Sequence, residues 1–180
     1  MLQITVPAVE MWDEENEIFV NRKEQTLLLE HSLISLSKWE SKWKKAFLGR
    51  QEKTKEETLD YVRCMTLTQN VDPEVYQTLS NKNLMDIYAY INDEMTATYF
   101  SDNGSGKVNG EIVTSEIIYY WMITLNIPVE FQKWHLNRLL TLIRVCNIKN
   151  QPSKKMSTSE ILSRNAALNA ARRKQLNTTG

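Results

Sequence analysis

Residues 149–180 contain no Phe, Tyr or Trp, and in the run EILSRNAALNAARRKQLN from Glu160 the large apolar residues are Ile161, Leu162, Leu168 and Leu176. Apolar burial stabilises by about 25 cal/mol per Å², so a stretch of this composition cannot hold a core of its own. Any core must come from the residues before it. These carry all five Trp and all seven Tyr of a 180-residue chain that is 42% apolar. That much bulky material excludes global disorder and predicts one globular body of ordinary size with an appendage.

Charge divides at the same place. Residues 149–180 carry seven basic side chains (Lys149, Lys154, Lys155, Arg164, Arg172, Arg173, Lys174) against Glu160, a net +6. The other 148 residues carry 15 basic against 21 acidic side chains, a net −6, so the overall zero conceals two opposite fields. Such a split speaks to partners and not to fold. The reading is a body over 1–148 and a basic linker with a C-terminal helix over 149–180. Ser157 and Glu160 have capping-box spacing at the start of that helix. A helix with so little apolar surface is marginal alone and is expected to order on a partner.

In the body, Leu2, Ile4 and Val6 alternate with Gln3 and Thr5, which predicts a short half-buried strand before Pro7. Glu17–Val20 suits a second strand. The two are expected to form a ribbon with a long connection, its apolar face resting on helices. Leu33, Leu36, Trp39, Trp43 and Phe47 predict an amphipathic helix from Ser32 to about Phe47, stopped by Gly49. Thr54 and Glu57 form a capping box for a helix that runs to about Thr68. Asp72 before Pro73 starts a short helix, and Ser80 starts another with Leu84, Ile87, Tyr88 and Ile91 on one face. Met95–Phe100 and Glu111–Val113 are candidates for a hairpin around the glycine-rich SDNGSGKVNG. The run SEIIYYWMITLN is apolar almost all round and predicts a central buried helix, and Val129–Asn147 predicts the clearest helix in the chain. The expected class is mainly α: a single helical domain with a small N-terminal β-ribbon and a C-terminal basic helix on a linker.

No catalytic signature emerges. GSGK at Gly104–Lys107 lacks the upstream glycine and the downstream Ser or Thr of a phosphate-binding loop, since Ser101 and Val108 stand there. His31 and His135 lie about a hundred residues apart with no metal-ligand spacing, so structural or surface roles are expected. Cys64 and Cys146 are too few for a disulfide framework and fall on apolar helical faces, where a thiol is a poor nucleophile. Glu56 with Glu57, and Asp93 with Glu94, read as solvated or helix-end charges, and Trp39 with Trp43 as core packing. The expectation is therefore no enzyme, no metal and no cofactor. No run of about 18 apolar residues exists, and acids occupy the N-terminal stretch where a secretory signal needs apolar residues, so a membrane is not expected and the cytoplasm is.

The basic tail supplies the charge that nucleic acid requires but no aromatic side chain for stacking bases. A weak nucleic-acid contact is the alternative. A protein partner with an acidic surface is preferred, gripped by Arg164, Arg172, Arg173 and Lys174.

The segments KWHLNRLLTLIRVCNIKN at 133–150 and SRNAALNAARRKQLN at 163–177, with LEHSLISLSKWESKW at 29–43, resemble small proteins encoded in the structural-gene region of tailed bacteriophages. The resemblance runs over most of the chain. It implies a non-enzymatic tail or virion assembly protein, such as a tail assembly chaperone that holds the tape-measure protein during tail building. Such a protein works in the host cytoplasm or in association with the virion. The resemblance transfers no binding residue and leaves the oligomeric state open.

Overall fold

The computed structural model describes residues 1–13, 18–100, 112–151 and 157–178, with backbone alone over 11–13 and 18–22. Four strands are followed by helices: β1 Leu2–Val6, β2 Val9–Asp13, β3 Ile18–Arg22, β4 Gln25–Leu29, α1 Leu33–Trp43, α2 Lys55–Met65, α3 Asn81–Asn92, α4 Ser115–Thr124, α5 Leu136–Asn150 and α6 Thr158–Leu176. Short 3₁₀ helices occupy Pro73–Thr78 and Val129–Lys133. The molecule is mainly α with a small N-terminal antiparallel β-ribbon and a C-terminal helix. Its contacts fall into two units, Met1–Asn147 and Ile148–Gly180.

The ribbon differs from the expected pairing. β1 pairs with β4, a strand the sequence reading missed, and β2 pairs with β3. Paired residue numbers add to 31 in both ladders, so the four strands follow one hairpin register, interrupted opposite Pro7, which has no N–H to donate. Pairing 9–13 with 18–22 in this register puts 25–29, not 17–20, across from 2–6. Ile4, Val6, Leu27 and Leu29 point inward together and are buried. The outer edge of β4 is closed by the end of α2 and the residues after it: Glu30 N–H donates to Met65 C=O at 2.9 Å and Leu67 N–H to Leu28 C=O at 2.7 Å. This covers the C-terminal end of that edge.

Helix α1 is the central element. Trp39 faces a cluster made with the ribbon, α2 and α3, through Ile4, Leu29, Tyr61, Val62, Met65 and Ile87. Leu33 and Leu36 face a second cluster with α4 and α5, through Ile118, Met122, Leu136, Leu139 and Ile143. The helix starts where the sequence predicts, with Ser32 as its cap, but it ends at Lys44, whose left-handed φ of 54° breaks it before Gly49 is reached. Phe47 returns from outside the helix to stack on Tyr61, with ring centroids 3.9 Å apart. The Thr54–Glu57 and Ser157–Glu160 capping boxes both form, as does the Asp72 cap, although its helix is 3₁₀.

Three expectations need correction. The predicted Val129–Asn147 helix is two elements, because His135 bridges to Ser32 and Leu136 N–H donates to His31 C=O at 2.7 Å, which breaks the helix at Trp134 and His135. Helix α4 is not buried all round: Ile118 and Met122 enter the core, while Tyr120 and Ile123 are 64% and 76% exposed. Met95–Phe100 forms no strand, while Ser101–Glu111, with the GSGK sequence, lies outside the described residues.

Candidate functional site

Three features bear on function: a pair of buried histidines, an apolar groove on the body, and helix α6.

The histidines, distant in sequence, are brought together. His31 lies at the corner between β4 and α1 and His135 at the start of α5, and their rings meet edge-on with centroids 5.0 Å apart. His31 Nδ1 is 2.6 Å from the Tyr61 hydroxyl. Burial pushes the Tyr61 hydroxyl well above its ordinary range, so it keeps its proton and donates to His31. Burial, followed by the neighbouring His135, lowers His31 to about 3, so the ring is neutral. His135 Nε2 donates to Tyr90 C=O at 2.9 Å, and its buried Nδ1 has no hydrogen-bond partner among the described residues. Burial also lowers His135, against the smaller opposing effect of the Tyr90 carbonyl. A proton on either ring would sit in a buried seam between α1, α2, α3 and α5. The Tyr90 hydroxyl donates to Glu30 at 2.7 Å and closes the same seam.

Buried carboxylates knit the body as well. Glu40 on α1 accepts N–H bonds from Phe47 at 2.8 Å and from Ser115, the first residue of α4, at 2.7 Å. Thr114 makes no side-chain cap bond, so Glu40 supplies from another helix the acceptor that α4 lacks. Glu57 is the helix-end, capping-box charge the sequence suggested, but buried: it is 2% exposed, paired with Lys45, and held below the ordinary carboxylate range first by that hydrogen bond and next by the Thr54 backbone. Trp39 Nε1 donates to Glu57 C=O at 2.8 Å and Trp43 Nε1 to Asp60 at 2.9 Å, so both indoles are packing elements with satisfied N–H groups.

Among the described residues, no group of three or more His, Cys, Asp or Glu is placed to hold a metal ion, and neither cysteine bonds to a histidine. Burial raises the Cys64 thiol, with Asp60 adding to it, which lowers its reactivity.

A groove of about 680 Å³ opens between α2 and α3, floored by Phe47, Tyr61, Val62 and Ile87 and rimmed by Leu84, Met85, Tyr88 and Ile91. Met85 and Tyr88 are 73% and 72% exposed. The sequence pattern held a signal for this: at about 100° per residue the apolar positions of α3 cover more than half its circumference, too wide for one packing face. Among the described residues, Lys53 is the only cation lining the groove. Its ammonium lies 4.4 Å from the Phe47 ring centre, and burial lowers it from the usual lysine range, against Glu57.

The four basic residues singled out in the sequence all lie on α6, 19 residues or about 28 Å long. Every described residue of the helix is exposed. Leu168 is about 20° around the axis from Ile161, Arg172 about 20° to the other side, and Leu176 about 60°. Arg164 stands at about 60°, whereas Arg173 and Lys174 are about 120° and 140° away. The helix therefore presents a mixed stripe in which Ile161, Leu168 and Leu176 alternate with Asn165, Arg172 and Gln175, with Arg164 at its edge. Arg173 and Lys174 lie off the stripe, in the last turn where cations complement the helix dipole.

No family model, curated protein or solved structure matches the chain.

Proposed function

We propose that the chain is a non-enzymatic assembly protein that grips a protein partner through α6, and that it serves tail or virion assembly in a tailed bacteriophage, as a tail assembly chaperone does. The observation that carries the binding part of this reading is the exposure of a 19-residue, fully capped helix along its whole length. Its mixed stripe, with Ile161, Leu168 and Leu176 as apolar anchors and Arg164 and Arg172 among them, suits a partner surface where a few anchors carry the affinity and charges steer approach. The phage setting rests on the resemblance of the quoted segments.

Replacing Arg164, Arg172, Arg173 and Lys174 with Ala tests it. Capture of a phage tail component by the tagged chain should fall at least tenfold while the body stays folded. Arg172→Ala and Arg164→Ala should account for most of that loss. Normal capture and normal tail assembly by the quadruple variant would overturn the reading. Binding to duplex DNA that weakens steeply with salt would move the function to the nucleic-acid alternative instead.

A further inference from the structure

Helices α1 and α2 face each other across a ladder of charged pairs. Lys45 pairs with Glu57, and Lys42 with Asp60. Three residues back along α1 and three forward along α2 lead from the first rung to the second, and four along each lead on to Lys38 and Cys64. The third rung thus sets a cation opposite a thiol where the pattern calls for a carboxylate, and Arg63 stands beside it. Lys38, Lys42, Asp60, Arg63 and Cys64 line one open cleft of about 450 Å³. Asp60 is already engaged, since Oδ1 accepts from Lys42 and Oδ2 from Trp43 Nε1 at 2.9 Å. Lys38 and Arg63 make no ion pair among the described residues. Burial raises the Cys64 thiol and Asp60 adds to it, while Lys38, Lys42 and Arg63 all oppose, so the three cations converge on this rung. Three positive charges against one negative meet here, although residues 1–148 as a whole carry −6.

We propose that the open third rung binds a terminal phosphate group, free or as a monoester, with Lys38 and Arg63 as its main contacts and Lys42 at its flank. The local surplus of two positive charges matches a phosphate dianion, whereas a carboxylate or a phosphodiester would leave one charge uncompensated. Arg63 supplies a planar fork for two oxygens and Lys38 a point charge for a third. All three cations are exposed, so the anion reaches them without a charge entering the core. The site is independent of what α6 binds.

In the full chain carrying Cys146→Ser, Cys64 is the single thiol and reports on the cleft. Its alkylation by iodoacetamide, an uncharged reagent, is followed at constant ionic strength. Inorganic phosphate should slow the reaction saturably, by about fivefold, and chloride should not. Lys38→Gln and Arg63→Gln should each raise the phosphate concentration required by about tenfold, whereas Lys55→Gln, at an exposed cation outside the cleft, should leave it unchanged. Phosphorus NMR on the unaltered chain needs no thiol chemistry: the phosphate line should broaden, and Cys64→Asp, which completes the rung, should abolish the broadening. An oligonucleotide that protects only when terminally phosphorylated makes nucleic-acid ends a source of the group; protection by inorganic phosphate alone makes the small ion the source. Equal slowing by chloride, equal protection by the unphosphorylated strand, or an unbroadened phosphate line overturns the proposal.

Discussion

The two contact units hold their helices by different means. In 1–147, order comes from burial: α1 is ordered because both of its sides are covered, and the weakly capped α4 borrows an acceptor from Glu40. In α6 every described residue is exposed, and what favours the helix is local: Ala-rich sequence, the Ser157–Glu160 capping box, terminal cations, and Asn177 in a left-handed cap with φ 52°. Local terms amount to a few tenths to about 1 kcal/mol each, against 2–5 kcal/mol for one buried leucine. Stability and recognition are thus assigned to separate stretches of chain, and substitutions should report on one or the other.

The largest expected effect is in the body. Leu136→Ala removes a fully buried side chain from the second cluster and should cost about 3 kcal/mol in urea unfolding. Glu40→Ala leaves the Phe47 and Ser115 N–H groups without acceptors in the interior and should cost about 2 kcal/mol, with loss of α4 helicity seen by hydrogen exchange. An equal loss of protection in α6 in either variant would erase the distinction between the regions.

Above the carboxylate range acid should act on the body alone, because Glu160 of α6, held below its ordinary value by hydrogen bonds from Ser157, stays ionised there. A histidine whose folded value is depressed contributes fully above its unfolded value of about 6.5 and loses that contribution as pH falls toward the folded value, here about 3 for His31. Body stability should therefore drop by about 1.4 kcal/mol per pH unit from this one group below pH 6. His135 acts in the same direction. His31→Gln, which still accepts from Tyr61, should flatten the pH dependence of the melting temperature. Helix α6 has no histidine. The smallest effect is local: Ser157→Ala should destabilise α6 by about 1 kcal/mol and leave the melting of the body unchanged.

Legibility in the sequence followed the range of the interaction. The caps at Ser32, Thr54, Asp72, Ser80 and Ser157 were readable because each is a bond between residues two or three apart. Strand β4 was not, because its Leu-rich run becomes a strand only by pairing with β1 across the hairpin. The helix break at His135 depends on Ser32 and His31 from a remote segment, and so does the meeting of the two imidazoles. The early end of α1 comes from a left-handed lysine, where glycine is the residue that pattern reading looks for. At the candidate site, charge and helix were plain from composition. The division of the four cations between the stripe and the far side follows from helical angle, and the groove follows only from where packing against β1 sets α3 relative to α2 and Phe47.

The most direct test removes residues after Asn150 and compares the urea unfolding of the shortened and full chains, at a concentration where sedimentation shows both to be monomers. Coincident midpoints and slopes, with near-UV circular dichroism retained, are the predicted result. A shortened chain that loses its near-UV signal, or unfolds without a cooperative transition, would contradict a body that stands without its terminal helix.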